Sequence, residues 1–314
     1  MINLFKLKLV IQALAVLMVC QFAVSAQKTQ KQPPRFGVEV NLVSLDVEVL
    51  DPRGNPVPGL TRDSFAVKEN GRPMEVTNFA WLSDRPVSLA LVLDTSAISS
   101  DKLVTFKRFI RELARILAPT DDLCLHSFDS RDAYLEMDFT SSRRLLWDTL
   151  DNIAVPSGRS GSVLAELFGA QPFTGLAIDM ALSKLHKTSN GKKALLVISN
   201  RFRGLGPATV EHVQESGSTL LTLGFSNKTA LFITLGGDQI SKNQLMRESG
   251  GRQFSSETND MEGVCRAIAF SLKNYYAIGY LTEPDPAEKK PRRMEVRIPG
   301  KEYTIHYRRT YLAK

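Results

Sequence analysis

At 314 residues, with 43% hydrophobic and 23% charged side chains, the chain can bury a large core and is too apolar for wholesale disorder. Its formal charge of +7 is spread along the sequence. The densest basic run, Lys289–Arg293, followed by Arg308 and Arg309, reads as a solvated turn and excludes nucleic acid as the expected partner. No spacing of Cys and His suggests zinc.

Met1–Ala26 reads as a secretory signal peptide: Lys6 and Lys8 precede an apolar run from Leu9 to Val19, and Val24-Ser25-Ala26 forms a small-residue cleavage signature. The run is short for a bilayer span, so the expected mature chain has no transmembrane segment; retention as an anchor is the competing reading. Lipid attachment at Cys20 is a third, opposed by the bulky Val19 before it. The protein is thus expected to be exported, to the periplasm, the cell surface or the medium. Residues 27–36 are a polar, Pro-bearing lead-in.

Val38–Leu50 alternates in two phases, the pattern of a long half-buried strand, with a candidate bulge at Leu42-Val43. Gly54, Pro56, Pro58 and Gly59 then mark a turn cluster. Phe65–Glu69 and Met74–Phe79 flank Asn70-Gly71, a strong short-range hairpin signal. Residues 37–83 therefore read as a small β unit that cannot close a core alone.

From Val87 strands alternate with helices, which predicts a parallel sheet. The expected order is a strand over 87–94, a helix over Leu103–Leu117, a hairpin of Leu123–Phe128 with an edge strand Ala133–Phe139, and a helix over Leu145–Ile153 capped by Ser141 or Ser142. A long loop, Pro156–Pro172, delivers Thr174 and Gly175 to the next helix. A strand follows over Lys193–Ser199, then a short helix, a strand from Thr219, an apolar insertion to Gly236, a helix closed by Gly250-Gly251, a short strand at Arg252 and a last helix over Asn259–Leu272. Cys124 and Cys265 fall on apolar positions and read as two buried thiols; an export route also allows a disulfide. Tyr275–Leu281, Arg293–Ile298 and Glu302–Arg308 return the chain to strands, with Tyr275, Tyr276 and Tyr280 as packing residues.

The stretch that organises the chain is Val87–Ser99, VSLALVLDTSAIS. A continuous apolar run ending abruptly in Asp94 places that carboxylate at the carboxyl edge of a sheet, where α/β folds bind their ligands. The run resembles the first strand of a von Willebrand factor A domain, whose metal-ion-dependent adhesion site opens with Asp-x-Ser-x-Ser. More widely, VSLDVEVLDPRGNPVPGLTRDSFAVKENGRPMEVTNF, LVLDTS and the ending NYYAIGYLTE…RRMEVRI…YTIHYRRTYLAK resemble secreted von Willebrand A-related proteins of the Acidobacterial type. The resemblance implies a doubly wound, mostly parallel α/β sheet of Rossmann-like kind over 84–273. It also implies a small β-sandwich-like domain, with the strands of 274–314 completing the amino-terminal β unit.

For the site, the resemblance implies Mg²⁺ held by Asp94, Ser96 and Thr174, but Ile98 stands where a hydroxyl belongs and Asn200 where an Asp belongs. A hard cation with near-octahedral demands loses a ligand and a charge, so no resident cofactor is expected and Mg²⁺ is at most a weak ligand. Asp94 then caps the following helix or bonds its own loop. The function expected is a non-enzymatic, adhesion-type module that presents Asp94, Ser96, Ser99, Thr174 and Asn200 as a rim for a protein partner. Two alternatives stand beside it: a hydrolase using Asp94, Ser96 and His126, without any Gly-x-Ser-x-Gly elbow, and a structural component of an envelope assembly.

Overall fold

The computed structural model describes residues 41–95, 100–129, 132–154, 174–199, 205–224, 242–255, 260–283 and 290–312. The signal peptide and lead-in, Cys20, the Pro156–Pro172 loop and the apolar insertion before Gly236 lie outside them, as do Ser96, Ile98, Ser99 and Asn200.

Six strands form the central sheet: β5 (Val87–Asp94), β6 (Asp122–Phe128), β7 (Ala133–Thr140), β8 (Lys192–Ile198), β9 (Thr219–Gly224) and β10 (Arg252–Ser255), in the order β10-β9-β8-β5-β6-β7. All pair in parallel except β7, which returns as a hairpin on β6. Every residue of β5 is buried. Leu89, Leu91 and Leu93 face one layer of helices and Ala90 and Val92 the other, which is why the sequence reads as an unbroken apolar run.

The first layer holds α1 (Ser100–Ile116), α2 (Arg143–Asn152) and α6 (Met261–Lys273); the second holds α3 (Thr174–His186), α4 (Pro207–Ser216) and α5 (Lys242–Ser249). Of the two serines ahead of α2, Ser142 is the cap: its Oγ accepts from Leu145 N–H at 3.3 Å. Asp121, fully buried before β6, accepts from Val87 N–H at 2.9 Å, Ala118 N–H at 2.8 Å and Lys273 Nζ at 2.5 Å. It thereby fixes the amino end of β5 to the turn before β6 and to the end of α6. The described chain is thus an α/β fold wound around a mostly parallel sheet.

The remaining strands are β1 (Asn41–Leu50), β2 (Ala66–Glu69), β3 (Arg72–Met74), β4 (Val76–Leu82), β11 (Tyr275–Thr282), β12 (Arg292–Arg297), β13 (Thr304–His306) and β14 (Thr310–Tyr311). They make two four-stranded sheets, β13-β1-β11-β4 and β14-β12-β2-β3. Between them lies a core of Val43, Leu45, Val47, Val67, Tyr276 and Met294, among others. β2 and β3 turn on Asn70 (φ 47°) and Gly71 (φ 82°), both left-handed as a two-residue hairpin of type I′ requires. Cys124 and Cys265 are free and buried.

Three expectations are corrected. The segment expected as one strand, Met74–Phe79, breaks at Glu75: β3 stays with β2, and β4 crosses to pair with β11. No bulge occurs at Leu42-Val43, because β1 and β11 stay in register from Asn41 to Val47. Leu42 is instead 57% exposed and leans over Gly279, where a Cβ would lie 3.3 Å from its methyl; the register shift falls at Gly279/Tyr280, opposite β4. Finally, the basic run at 289–293 is not wholly solvated. Arg292 alternates inward with Met294 and Val296 and is 4% exposed, which is possible only because Glu69 meets it at 2.9 Å.

Ion pairs join the sandwich to the α/β layers. Lys192 Nζ meets Asp46 at 2.8 Å and lies 4.2 Å from the Tyr275 ring centre; Arg252 meets Glu48 at 2.9 Å. Gln214 Nε2 donates to Thr310 Oγ1 at 2.6 Å, and Thr310 Oγ1 donates to Glu248.

Candidate functional site

The chain enters the sheet at β5, in the middle. It steps outward through β6 and β7, then crosses back to β8 on the other side of β5 and steps outward again. Between β5 and β8 the order therefore reverses, and open α/β sheets bind ligands outside the carboxyl ends of the strands at such a point.

Asp94 ends β5 at that reversal and is 5% exposed. A buried carboxylate needs hydrogen bonds, and Ser199, the residue after β8, donates its hydroxyl to Asp94 Oδ2 at 2.6 Å. The register accounts for the meeting: Leu93 pairs with Ile198, so the next residue on each strand is level with the other. Thr95 turns the other way, its N–H and Oγ1 both donating to Phe128 O, at 2.9 and 3.0 Å. Below, the Asp121 carboxylate holds the amino end of β5; above, the Ser199 and Thr95 hydroxyls and the Thr95 N–H hold its carboxyl end.

Thr174 begins α3, the helix that packs on β5 and leads into β8, so it too lies at the carboxyl edge. It is fully buried, and its hydroxyl has no hydrogen-bond partner among the described residues. A buried hydroxyl without a partner costs about 1–3 kcal/mol.

Of the residues expected at the rim, the structure therefore places Asp94 and Thr174 at one edge, while Ser96, Ser99 and Asn200 fall outside the described residues. Ser199 was not among the expected residues. Its signal was its place at the end of the KALLVIS strand, level with Asp94 if the two strands are neighbours in register.

His126 does not belong to this edge. It pairs with Val92, two residues below Asp94, and is fully buried. Its Nδ1 lies 3.8 Å from Cys124 Sγ, and its Nε2 has no partner among the described residues. Burial holds the imidazole down to about 4, with the Lys184 ammonium adding to the shift, so the ring is neutral at pH 7. A base on β6, fully buried two residues below the edge, is out of reach of a substrate at the rim. Burial likewise pushes both thiols up, that of Cys265 to about 12.

The described donors suit a hard cation in kind but not in number. Asp94 offers a carboxylate whose Oδ2 already accepts from Ser199, and Thr174 offers one neutral oxygen. Among the described residues no group of three or more His, Cys, Asp or Glu side chains could hold a metal ion. The set as described falls short of what Mg²⁺ requires.

Among the described residues no helix is long and apolar enough to cross a membrane. No protein-family model matches the sequence, and no curated protein matches it. Solved structures do resemble it. An aerotolerance-related membrane protein from Bacteroides fragilis is 17% identical over 59% of this chain and 98% of its own, with a TM-score of 0.44. The SpRpn10 VWA domain is 9% identical over 57% of this chain and 93% of its own, at 0.39. For the vWF domain of the type V pili tip protein Mfa5 from Porphyromonas gingivalis the figures are 15%, 38%, 39% and 0.29, so the matched part spans well under half of that chain. The chain's structural neighbours thus include von Willebrand A domains, at low sequence identity.

Proposed function

We propose that this chain is an exported, non-enzymatic protein-interaction module of the von Willebrand A type. Its recognition surface is the carboxyl edge of the sheet, formed by Asp94, Ser96, Ser99, Thr174 and Asn200, and it works without a resident metal. The observation that carries the reading is the pairing of Asp94 with Ser199 at the topological reversal, on the same sheet edge as Thr174, whose hydroxyl has no hydrogen-bond partner among the described residues. That is a preset polar edge, and His126, the imidazole expected beside it, is buried away from it. Export rests on Lys6, Lys8, the apolar run and Val24-Ser25-Ala26. Without a divalent cation the Asp94 oxygens are left to accept from the partner directly. The partner group the edge favours is then a hydrogen-bond donor, an amide or a cation, in place of the carboxylate that a metal would recruit.

The test is affinity capture from envelope extract, with and without chelator, using the natural chain and its Asp94→Asn and Thr174→Val variants. One protein should be retained in both conditions, and Asp94→Asn should weaken its retention by about tenfold, the value of one charge-assisted hydrogen bond. Capture abolished by chelator, or untouched by both substitutions, would refute the proposal.

A further inference from the structure

A cleft of about 350 Å³ opens on the sandwich between β12 and β13, sharing no residue with the carboxyl edge. Its walls include Val296, Ile305, Tyr303 and Tyr307. Both strands turn an open edge to it. β12 pairs with β2 along Met294–Arg297, but on its other side β14 covers, among the described residues, only Arg292 and Arg293. The last bond on that side runs from Met294 N–H to Arg309 O, at 2.8 Å. Peptide groups alternate in direction along an antiparallel strand, so those of Val296 point the same way as those of Met294, into the cleft.

Among the described residues β13 pairs with β1 alone, Val49 opposite Ile305. Val57 N–H bonds Val49 O at 3.0 Å on the far edge of β1, where Pro56 also bridges Leu50. The Val49 peptide groups therefore face away from β13, and those of Ile305 face away from β1, again into the cleft. Val296 and Ile305 line the cleft although their side chains pack toward the sandwich core; what they present to it is backbone.

The charges are one-sided. Arg293 and Arg297 stand on the outer face of β12, and the Arg309 guanidinium lies 5.0 Å over the Tyr307 ring. All three arginines are exposed. Of the lining residues only Glu295 is acidic, and Arg297 engages it at 3.5 Å.

We propose that this cleft binds an extended, acidic segment of a partner protein as an added strand. The open edges of β12 and β13 supply main-chain hydrogen bonds, and the three arginines supply selectivity for carboxylates. An unpaired edge is a template for a further strand, and strand addition draws affinity from the backbone and specificity from alternate side chains.

The test uses the full chain and a blocked nonapeptide of alternating glutamate and threonine, its glutamine counterpart, and inorganic phosphate, followed by fluorescence anisotropy. The acidic peptide should bind, and the glutamine peptide should bind at least about tenfold more weakly. Arg297→Glu with Arg309→Glu, both at exposed positions, should remove binding while the urea midpoint stays unchanged. N-methylation of alternate peptide nitrogens should weaken binding in either frame, because one set faces β12 and the other β13. No binding by the acidic peptide, undiminished binding by either N-methylated frame, displacement by equimolar phosphate, or indifference to the arginine substitutions would each overturn the proposal.

Discussion

Glu69→Ala is expected to destabilise the sandwich by about 3–5 kcal/mol, the cost of leaving one partner of a buried ion pair uncompensated. Glu69 is 6% exposed at the end of β2. Its Oε1 accepts from Thr282 at 2.7 Å and Arg292 at 2.9 Å, its Oε2 from Tyr280 at 2.8 Å and Tyr311 at 2.6 Å. One carboxylate therefore joins β2, β11, β12 and β14, so both sheets hang on it. Replacing Glu69 and Arg292 together by leucine and methionine should cost less than Glu69→Ala alone, because no charge is then left behind.

The same group makes stability depend on pH. Burial pushes the Glu69 carboxyl up, but the hydrogen bonds from Tyr311, Thr282 and Tyr280 and the Arg292 charge outweigh it and hold the group below its ordinary value of 4.5. A carboxyl depressed in the folded state stabilises above its unfolded value and loses that contribution as pH falls through the folded one. The gap in urea midpoint between the natural chain and Glu69→Gln should thus be full at pH 7 and shrink below pH 4.5. A gap that is independent of pH, or a cost for Glu69→Ala below about 1 kcal/mol, would contradict this account of the network.

Gly250→Ala is expected to cost about 3 kcal/mol or more, from two sources. Gly250 ends α5 at φ 70°, with Gly251 N–H bonding Met246 O at 2.8 Å and Gly250 N–H bonding Arg247 O at 3.4 Å. That is a Schellman cap, whose left-handed residue costs about 1–2 kcal/mol when it carries a side chain. In addition, a Cβ at Gly250 would lie 2.4 Å from the Tyr307 carbonyl carbon and 2.6 Å from Arg308 N. Backbone cannot rotate aside as a side chain can, so the α/β layers and the sandwich would have to separate, and overpacking of this kind adds about 1–3 kcal/mol. Gly191→Ala is the control. Its nearest neighbour is the flexible Arg85 side chain at 3.6 Å, and stability should hold or rise by about 0.4–1 kcal/mol. Equal urea midpoints for Gly250→Ala and the natural chain would show that the junction yields.

What the sequence made legible was local. The apolar run of β5, the Asn70-Gly71 turn and the helical periodicity of α1 each specify themselves within a few residues. The carboxyl-edge position of Asp94 followed from the same run. What stayed hidden depends on partners distant in the chain. Glu69 and Tyr311 are 242 residues apart, and nothing near Glu69 announces that its charge will be buried. Leu42 looked like a change of phase because alternation predicts burial, whereas the absent side chain of Gly279 gives it a surface to lie on. The break at Glu75 is likewise invisible locally, since both halves of the segment are strands and only the sheet they join differs. The resemblance to a metal-site loop points to Asn200, whereas strand register brings Ser199, one residue earlier, to Asp94.

The claim that the carboxyl edge recognises its partner without metal is tested most directly by titration calorimetry with Mg²⁺ and Mn²⁺. The natural chain should give weak heat or none. The Ile98→Ser, Asn200→Asp double variant should gain binding, because it restores a hydroxyl ligand and a carboxylate. Tight binding by the natural chain that is lost in Asp94→Ala would contradict the account, and would mean that the edge works through a cation after all.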